Sequence, residues 1–237
     1  MAPDSRAGES VHALPLPLVL ATRNVDKARE IIEVLVDHSG LPIVAYAIDV
    51  HDVTIGFLLE RPERVAAAVA ALRELSSEPD VEETGATLDE NARIKATALV
   101  AALGLPAIAD DTGLEVDAID GAPGVHAARY AGPDATYADN VAKLLRELEG
   151  VYPALRTARF ATVAVTCWPD GREVATRGEV EGVIAAAPLG ENGFGYDPVF
   201  VPTEGDGRTF AQMSAAEKHA ISHRGRAFVA LADALTA

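Results

Sequence analysis

Four groups of residues in this chain combine side-chain types and spacings that could do chemistry. The first is Thr22-Arg23-Asn24-Val25-Asp26-Lys27, a polar link between an apolar run and a helical pattern. Backbone N–H groups at a helix start can hold phosphate, and Lys27 would neutralise it. The segment has none of the glycines of a Walker loop, so an ordinary strand-to-helix connection reads the same way. The second group is acidic: Glu82-Glu83 stand before Thr84-Gly85, and Asp110-Asp111 stand before Thr112-Gly113. Mg²⁺ takes one or two protein carboxylates and completes its octahedron with water and substrate phosphate, so carboxylates at two loop ends suit it. A solvated charge pair and a turn are the structural alternatives. For the aspartates, the preceding Ala107-Ile108-Ala109 argues for a buried strand end, where a carboxylate needs partners.

The third group is Gly190-Glu191-Asn192-Gly193-Phe194-Gly195-Tyr196-Asp197-Pro198. Glycines around an aromatic let backbone approach a planar ligand, and Phe194 could stack on a base while Asp197 accepts its hydrogen bonds. A tight turn with a core aromatic has the same composition. The fourth group is Glu217-Lys218 with Ser222-His223-Arg224-Gly225. If Ser222 caps the last helix, His223 and Arg224 occupy its first turn, where cations oppose the helix dipole, and that placement suggests a function. A histidine satisfied at a helix start is the alternative.

These groups need elements to hold them. Leu16 to Ala21 reads as a buried strand, followed by a helix from about Lys27 with Ala28, Ile31, Ile32 and Leu35 at helical spacing. Val65, Val69 and Leu72 give a second helical stripe. Thr87 and Glu90 have the spacing of a capping box, and Gly104 with Pro106 stops that helix. Ala107 to Asp110 and Leu114 to Val116 read as short strands around an Asp110-Asp111-Thr112-Gly113 turn. Thr136 caps a helix running from Tyr137 to Leu148, and Pro169-Asp170-Gly171 turns a hairpin between a strand through Phe160 to Cys167 and another from Arg172 to about Val180. The pattern predicts an α/β class with a mixed sheet. Residues 1–14 read as a disordered tail and 15–237 as a single domain.

Composition narrows the partners. The chain has 237 residues, 20 basic against 36 acidic side chains, a formal charge of −16 and 49% hydrophobic residues. Such acidity works against nonspecific contact with nucleic acid or anionic membrane, yet permits an anionic small ligand where cations gather. Lys27, Lys95, Lys218, Arg129 and Arg224 are therefore the cations whose positions matter. Lys27 and Lys218 read as exposed charges facing a ligand. No apolar run approaches the length of a membrane span, and nothing resembles a secretion signal, so a cytoplasmic protein is expected. The single cysteine, Cys167, reads as a buried strand residue.

Taken together and in order, the segments resemble the inosine triphosphate pyrophosphatase family, whose members hydrolyse dITP, ITP and XTP. The resemblance is carried by Leu18-Val19-Leu20-Ala21-Thr22, Glu82-Glu83-Thr84-Gly85, Glu90-Asn91-Ala92, Ala109-Asp110-Asp111-Thr112-Gly113-Leu114, Gly121-Ala122-Pro123-Gly124, Ala128-Arg129-Tyr130, Gly193-Phe194-Gly195-Tyr196-Asp197-Pro198 and Ser222-His223-Arg224-Gly225. It implies an elongated mixed α/β fold of two lobes around a central cleft, a homodimer, and Mg²⁺-dependent cleavage between the α and β phosphates. By the same resemblance Thr22, Arg23, Asn24 and Lys27 would grip the triphosphate. Glu82 and Asp111 would hold Mg²⁺, with Asp111 the proton acceptor and Asp110 assisting. Thr112 would contact substrate, Phe194, Gly195, Tyr196 and Asp197 would frame base and ribose, Lys218 would meet phosphate, and His223 with Arg224 would read the 6-keto edge of the purine. Arg23 and Asp26 depart from the family's usual glycines, and the stretch from Gly40 to Glu82 is longer than expected, with an extra segment at about 51–75. A Maf-like pyrophosphatase for other modified or pyrimidine nucleotides, and a nucleotide-binding sensor without catalysis, are the competing functions.

Overall fold

A computed structural model describes residues 18–22, 24–39, 43–46 and 81–237. Strand β1 (Leu18–Ala21) leads through the 22–24 link into helix α1 (Val25–Ser39), and β2 (Ile43–Tyr46) follows. Helix α2 (Leu88–Leu103), β3 (Ala107–Val116), the two-residue β4 (Pro123–Gly124) and helix α3 (Tyr137–Glu147) come next. The chain continues through β5 (Thr157–Cys167), β6 (Glu173–Ile184), β7 (Phe200–Pro202), and helices α4 (Ala215–Ile221) and α5 (His223–Thr236). One sheet runs in the order β2-β1-β3-β5-β6-β7, with β4 on β3. Its β2-β1-β3 part is parallel and its β3-β5-β6-β7 part antiparallel, so the sheet is mixed, as the alternation of helical and hairpin signals implied.

Strand alternation sorts the core. On one face, Leu18, Leu20, Ile108 and Ala164 pack against α1 and α5 through Ile31, Leu35, Phe228 and Leu231. On the other, Val19, Ala21, Ala107, Ala109, Val163 and Val165 pack under α2 through Leu88, Ala92, Ala96 and Leu99. A third cluster fills the far end of the long strands, where Leu114, Val116, Phe160, Phe200 and Phe210 meet Val141 and Leu144 of α3. Strands β3, β5 and β6 thus run through two lobes with separate cores.

The capping signals translate directly into structure. Thr87 and Glu90 form the full capping box of α2, which stops at Gly104 with φ 64, and Thr136 caps α3 with Asp139 completing the box. Ser222 caps α5 by accepting the Gly225 N–H at 3.0 Å. Cys167 is a buried strand residue, 7% exposed.

One expectation fails. The Asp110-Asp111-Thr112-Gly113 segment is no turn between two short strands: β3 is continuous, and every residue from Ala107 to Val116 pairs with β5. Aspartates favour turns when water must solvate them, and here protein cations take that role. The Val65, Val69, Leu72 stripe, the extra segment at 51–75 and the 1–14 tail lie outside the described residues.

Helix α5 lies unusually close to the sheet. A Cβ on Gly178 of β6 would stand 2.1 Å from the His223 carbonyl oxygen and 2.4 Å from the Ala227 nitrogen. Only a bare glycine lets the first turn of α5, with His223 and Arg224, press onto β6 at this distance.

Candidate active site

The site is organised by two neighbouring residues of β3. Successive side chains of a strand point to opposite faces, so Asp110 follows Ile108 toward α1 and α5, while Asp111 follows Ala109 toward α2. Asp110 is 1% exposed. Its Oδ2 lies 3.2 Å from Lys27 Nζ and 3.8 Å from Arg224 Nε, and it accepts the Thr112 hydroxyl at 3.1 Å. Burial works against its charge, but Lys27, Arg224 and Lys95 together outweigh burial and hold the carboxyl at about 2. Asp111 accepts Lys95 Nζ at 3.2 Å on Oδ1 and Asn91 Nδ2 at 3.3 Å on Oδ2. For Asp111 burial prevails over Lys95 and Lys27, and the carboxyl is pushed above the usual range.

Asp111 opens on a cleft of about 760 Å³, counting its mouth, whose walls come from both lobes. Asn24, Lys27, Glu83 and Thr112 stand on its polar side, Phe194, Gly195, Tyr196 and Phe160 on its aromatic side, and Asp197, Lys218, His223 and Arg224 complete it. Asp110 is not in the cleft wall; it ties together two cations that are.

Within the acidic loop the structure exchanges the expected partner. Glu82 is exposed and does not line the cleft. Glu83 does, and its Oε1 lies 3.0 Å from the same Lys95 Nζ that touches Asp111, while its Oε2 accepts Arg129 Nη1 at 3.3 Å. The loop is tied to β3 by Asn91, whose Oδ1 accepts the Gly85 N–H at 2.8 Å while its Nδ2 reaches Asp111. Two adjacent glutamates offer the same chemistry in sequence; the tether decides which one turns inward. Glu83 and Asp111 converge on one ammonium, so their oxygens address a common point. Two carboxylates of this kind suit Mg²⁺ whose other positions go to water and phosphate. Among the described residues there is no group of three or more His, Cys, Asp or Glu side chains that could cage a metal by itself.

The first polar link is a capped helix start rather than an open nest of amides. Asn24 Oδ1 accepts the N–H groups of Asp26 and Lys27 at 3.0 and 3.1 Å, and Thr22 Oγ1 accepts the Asn24 N–H at 3.2 Å. Thr22 therefore positions Asn24 from outside the cleft, and Lys27 supplies the charge. Arg23 lies outside the described residues.

On the opposite wall, Lys218 is buried rather than exposed, at 4%. Its Nζ sits 2.6 Å from both Glu30 Oε1 and Asp197 Oδ2 and 5.0 Å from the centre of the Phe194 ring. Lys27 is also largely covered, its side chain 18% exposed. The reading of these lysines as exposed charges fails because each meets a buried carboxylate. Arg224, 3% exposed, donates to Glu30 Oε2 and, at 3.3 Å, to Thr112 Oγ1. Asp197 Oδ2 also accepts the Phe194 N–H at 2.8 Å, a contact that leaves no room for a side chain at Gly193, where a Cβ would lie 2.1 Å from that oxygen. Tyr196 faces the cleft but commits its hydroxyl to the Ala127 carbonyl at 2.9 Å. His223 stacks on Phe160, ring centres 4.5 Å apart and planes 10° from parallel. Burial, aided by Arg224 and Lys218, holds its pKa well below the usual histidine value, so the imidazole is neutral, and its Nδ1 is buried without a partner.

The sequence reading assigns Glu30, Asn91 and Tyr137 no role in the site, and it offers Glu83 only as the neighbour of Glu82. Glu30 left a trace, since it lies three residues after Lys27 on the same helix face. Tyr137, which accepts Asn24 Nδ2 at 2.9 Å across the mouth and packs against Phe194 with ring centres 5.9 Å apart, left none.

The Ham1 family model matches residues 18–234 of this chain. The chain belongs to the Ham1 family. Relatives named dITP/XTP pyrophosphatase include one from Geobacter sulfurreducens, 43% identical over 92% of this chain and 96% of its own, and one from Streptomyces coelicolor, 44% identical over 90% and 94%. Among solved structures, a HAM1 protein from Coxiella burnetii superposes with a TM-score of 0.72 at 38% identity, covering 93% of this chain and 98% of its own. The Ham1 protein of Staphylococcus aureus gives 0.71 at 34%, with the same coverage. The resemblance read from the motifs is thereby borne out, as is the mixed α/β fold, and the Ham1 assignment spans both lobes and the cleft between them.

Two predictions follow the geometry of this Ham1 cleft. Lys218→Met leaves Asp197 and Glu30 without their shared ammonium, and breaking a buried pair costs about 3 kcal/mol or more. Tm should fall by roughly 6–12 °C for a chain of this size, and an unchanged melting curve would return Lys218 to a surface role. The second concerns acid. His223 is neutral in the folded state whereas an unfolded histidine protonates near 6.5, so stability declines as pH falls below about 6.5. Asp110, held at about 2, contributes stability that is complete above about 4 and is lost as pH falls toward its folded value. Urea unfolding from pH 7 to 2 should show both steps, and His223→Gln should remove the upper one; a curve flat down to pH 4 would contradict a buried neutral imidazole.

Proposed function

We propose that this Ham1 protein hydrolyses the nonstandard purine nucleoside triphosphates dITP, ITP and XTP to the monophosphate and pyrophosphate, with Mg²⁺ as cofactor. The observation that carries the reading is the cleft's division of labour: a carboxylate with a raised pKa, Asp111, lies between a lysine-bearing polar wall and an aromatic wall ending in a neutral histidine. The relatives named dITP/XTP pyrophosphatase supply the substrate class.

Asp111 takes the proton of the attacking water, since burial makes it a better base than an ordinary aspartate. Asp110 holds Lys27 in place, and Lys27 faces the negative charge that develops on the departing pyrophosphate. Asn24 fixes the turn that presents Lys27. Glu83 and Asp111 would hold Mg²⁺, and the ion would supply Lewis-acid stabilisation of phosphate charge there. At the other end Phe194 and Tyr137 frame the base, and His223 with Arg224 faces its 6-position. A 6-keto group accepts hydrogen bonds, whereas the 6-amino group of adenine donates them, so a guanidinium donor beside adenine is left unpaired. Lys218 and Asp197, buried in one ion pair, act by holding the Phe194 loop rather than by binding phosphate as free groups. A cytoplasmic setting is consistent with the acidic composition, and among the described residues no helix is long and apolar enough to cross a membrane. The homodimer rests on the family resemblance.

A panel of triphosphates with Mg²⁺, assayed for pyrophosphate and orthophosphate, tests the reading. Pyrophosphate should be the primary product, and kcat/KM for ITP, dITP and XTP should exceed that for ATP by about 100-fold or more, the discrimination a polar site achieves. Orthophosphate as the first product, or a preference for pyrimidine nucleotides, would overturn it.

A further inference from the structure

Lys95 has no part in the scheme above, yet it stands at its centre. It projects from α2 one turn beyond Asn91, so the helix holds Asp111 from two successive turns. Its Nζ touches Glu83 Oε1 at 3.0 Å and Asp111 Oδ1 at 3.2 Å, with the side chain only 18% exposed. Arg129 occupies the other oxygen of Glu83 at 3.3 Å. Both carboxylates of the metal-binding pair are therefore already matched by fixed cations of the protein.

We infer that Lys95 is a resident counter-cation of the Glu83–Asp111 pair, which keeps a free divalent ion out and makes metal binding depend on the triphosphate. The inference rests on the proposed reading of the cleft. A metal approaching Glu83 and Asp111 alone meets carboxylates whose charge is cancelled within hydrogen-bond distance, and a second cation near them is repelled. A triphosphate reverses the balance: it brings several negative charges to the same wall, and oxygens that complete the octahedron Mg²⁺ requires. Lys27 cannot substitute in this role, because its ammonium is engaged by Asp110 on the other face of β3. A cation that sat on only one carboxylate would leave the other free for metal; Lys95 spans both. Metal and nucleotide consequently enter as one complex, and each strengthens the other's binding, as linkage requires.

The test uses the full chain and Mn²⁺, whose free fraction is read by electron paramagnetic resonance, with α,β-imido-ITP as a triphosphate that resists cleavage. In the wild type, Mn²⁺ alone should bind at least about tenfold more weakly than with the analogue, the size expected for an opposite charge within a few ångströms. Lys95→Met should tighten Mn²⁺ alone by about tenfold and shrink the effect of the analogue, while Lys95→Arg, which keeps the charge, should behave as wild type. Lys95→Gln serves if the methionine variant does not fold, as judged by circular dichroism. The inference is overturned if the neutral variants bind Mn²⁺ alone no more tightly than wild type, or if wild type binds it equally well with and without the analogue while the analogue binds. Should the analogue fail to bind the wild type at all, the purine triphosphate reading falls, and the comparison of Mn²⁺ alone between wild type and variant still decides the role of Lys95.

Discussion

Adjacent residues of a β-strand cannot share a face, and this constraint organises the whole cleft. Because Asp110 and Asp111 follow one another on β3, one carboxylate is sent to the α1–α5 side and the other to the α2 side. Each is buried, and each must find cations there. Asp110 finds Lys27 and Arg224; Asp111 finds Lys95. The pattern extends outward, with Glu83 matched by Lys95 and Arg129, and Glu30 and Asp197 matched by Lys218 and Arg224. Buried charges of this kind contribute little net stability as intact pairs, but removing one partner is costly. Such a network fixes geometry, which is what a phosphoryl-transfer site needs, since positioning and electrostatics supply most of its catalysis.

The apolar framework places these charges with little freedom. Helix α2 is seated by Leu88, Ala92, Ala96 and Leu99, which brings Asn91 and Lys95, on the flank of that face, against Asp111. Helix α5 is drawn against β6 by Gly178 and seated by Phe228 and Leu231, which fixes His223 over Phe160 and aims Arg224 at Glu30 and Thr112. The second lobe contributes the aromatic wall through a loop whose shape depends on Asp197 accepting the Phe194 amide.

Much of this was legible in the sequence where a local rule operates. The capping box at Thr87, the caps at Thr136 and Ser222 and the turn at Asp170-Gly171 depend on neighbours a few residues apart, and they formed as read. The composition of Asp110-Asp111-Thr112-Gly113 misled, because residue preference treats aspartate as solvated and cannot see cations arriving from Lys27, 83 positions earlier in the chain, or from Arg224. The same blindness to distant partners made Lys218 look exposed and left Glu82 and Glu83 indistinguishable. Glu83 faces inward because Asn91 anchors Gly85, a contact with no sequence signature. The sequence singled out Lys27, Lys95, Lys218, Arg129 and Arg224 as cations whose positions matter, but Glu30 was not among the residues named, and the pairings needed the fold.

The central claim is that one strand separates two jobs: Asp110 sets the cations in place, and Asp111 acts on the substrate. Asp110→Asn and Asp111→Asn, measured side by side for urea stability and for pyrophosphate release from ITP, test it most directly. Asp110→Asn should lower stability by about 3 kcal/mol, because Lys27 and Arg224 lose a buried counter-charge. Asp111→Asn should cost less stability, because Lys95 keeps Glu83 and burial already opposes the Asp111 charge, and should lose turnover by about 100-fold or more, with KM changed far less, because an amide accepts no proton. Equal losses in both quantities for the two variants, or near-normal turnover in Asp111→Asn, would contradict the division of roles.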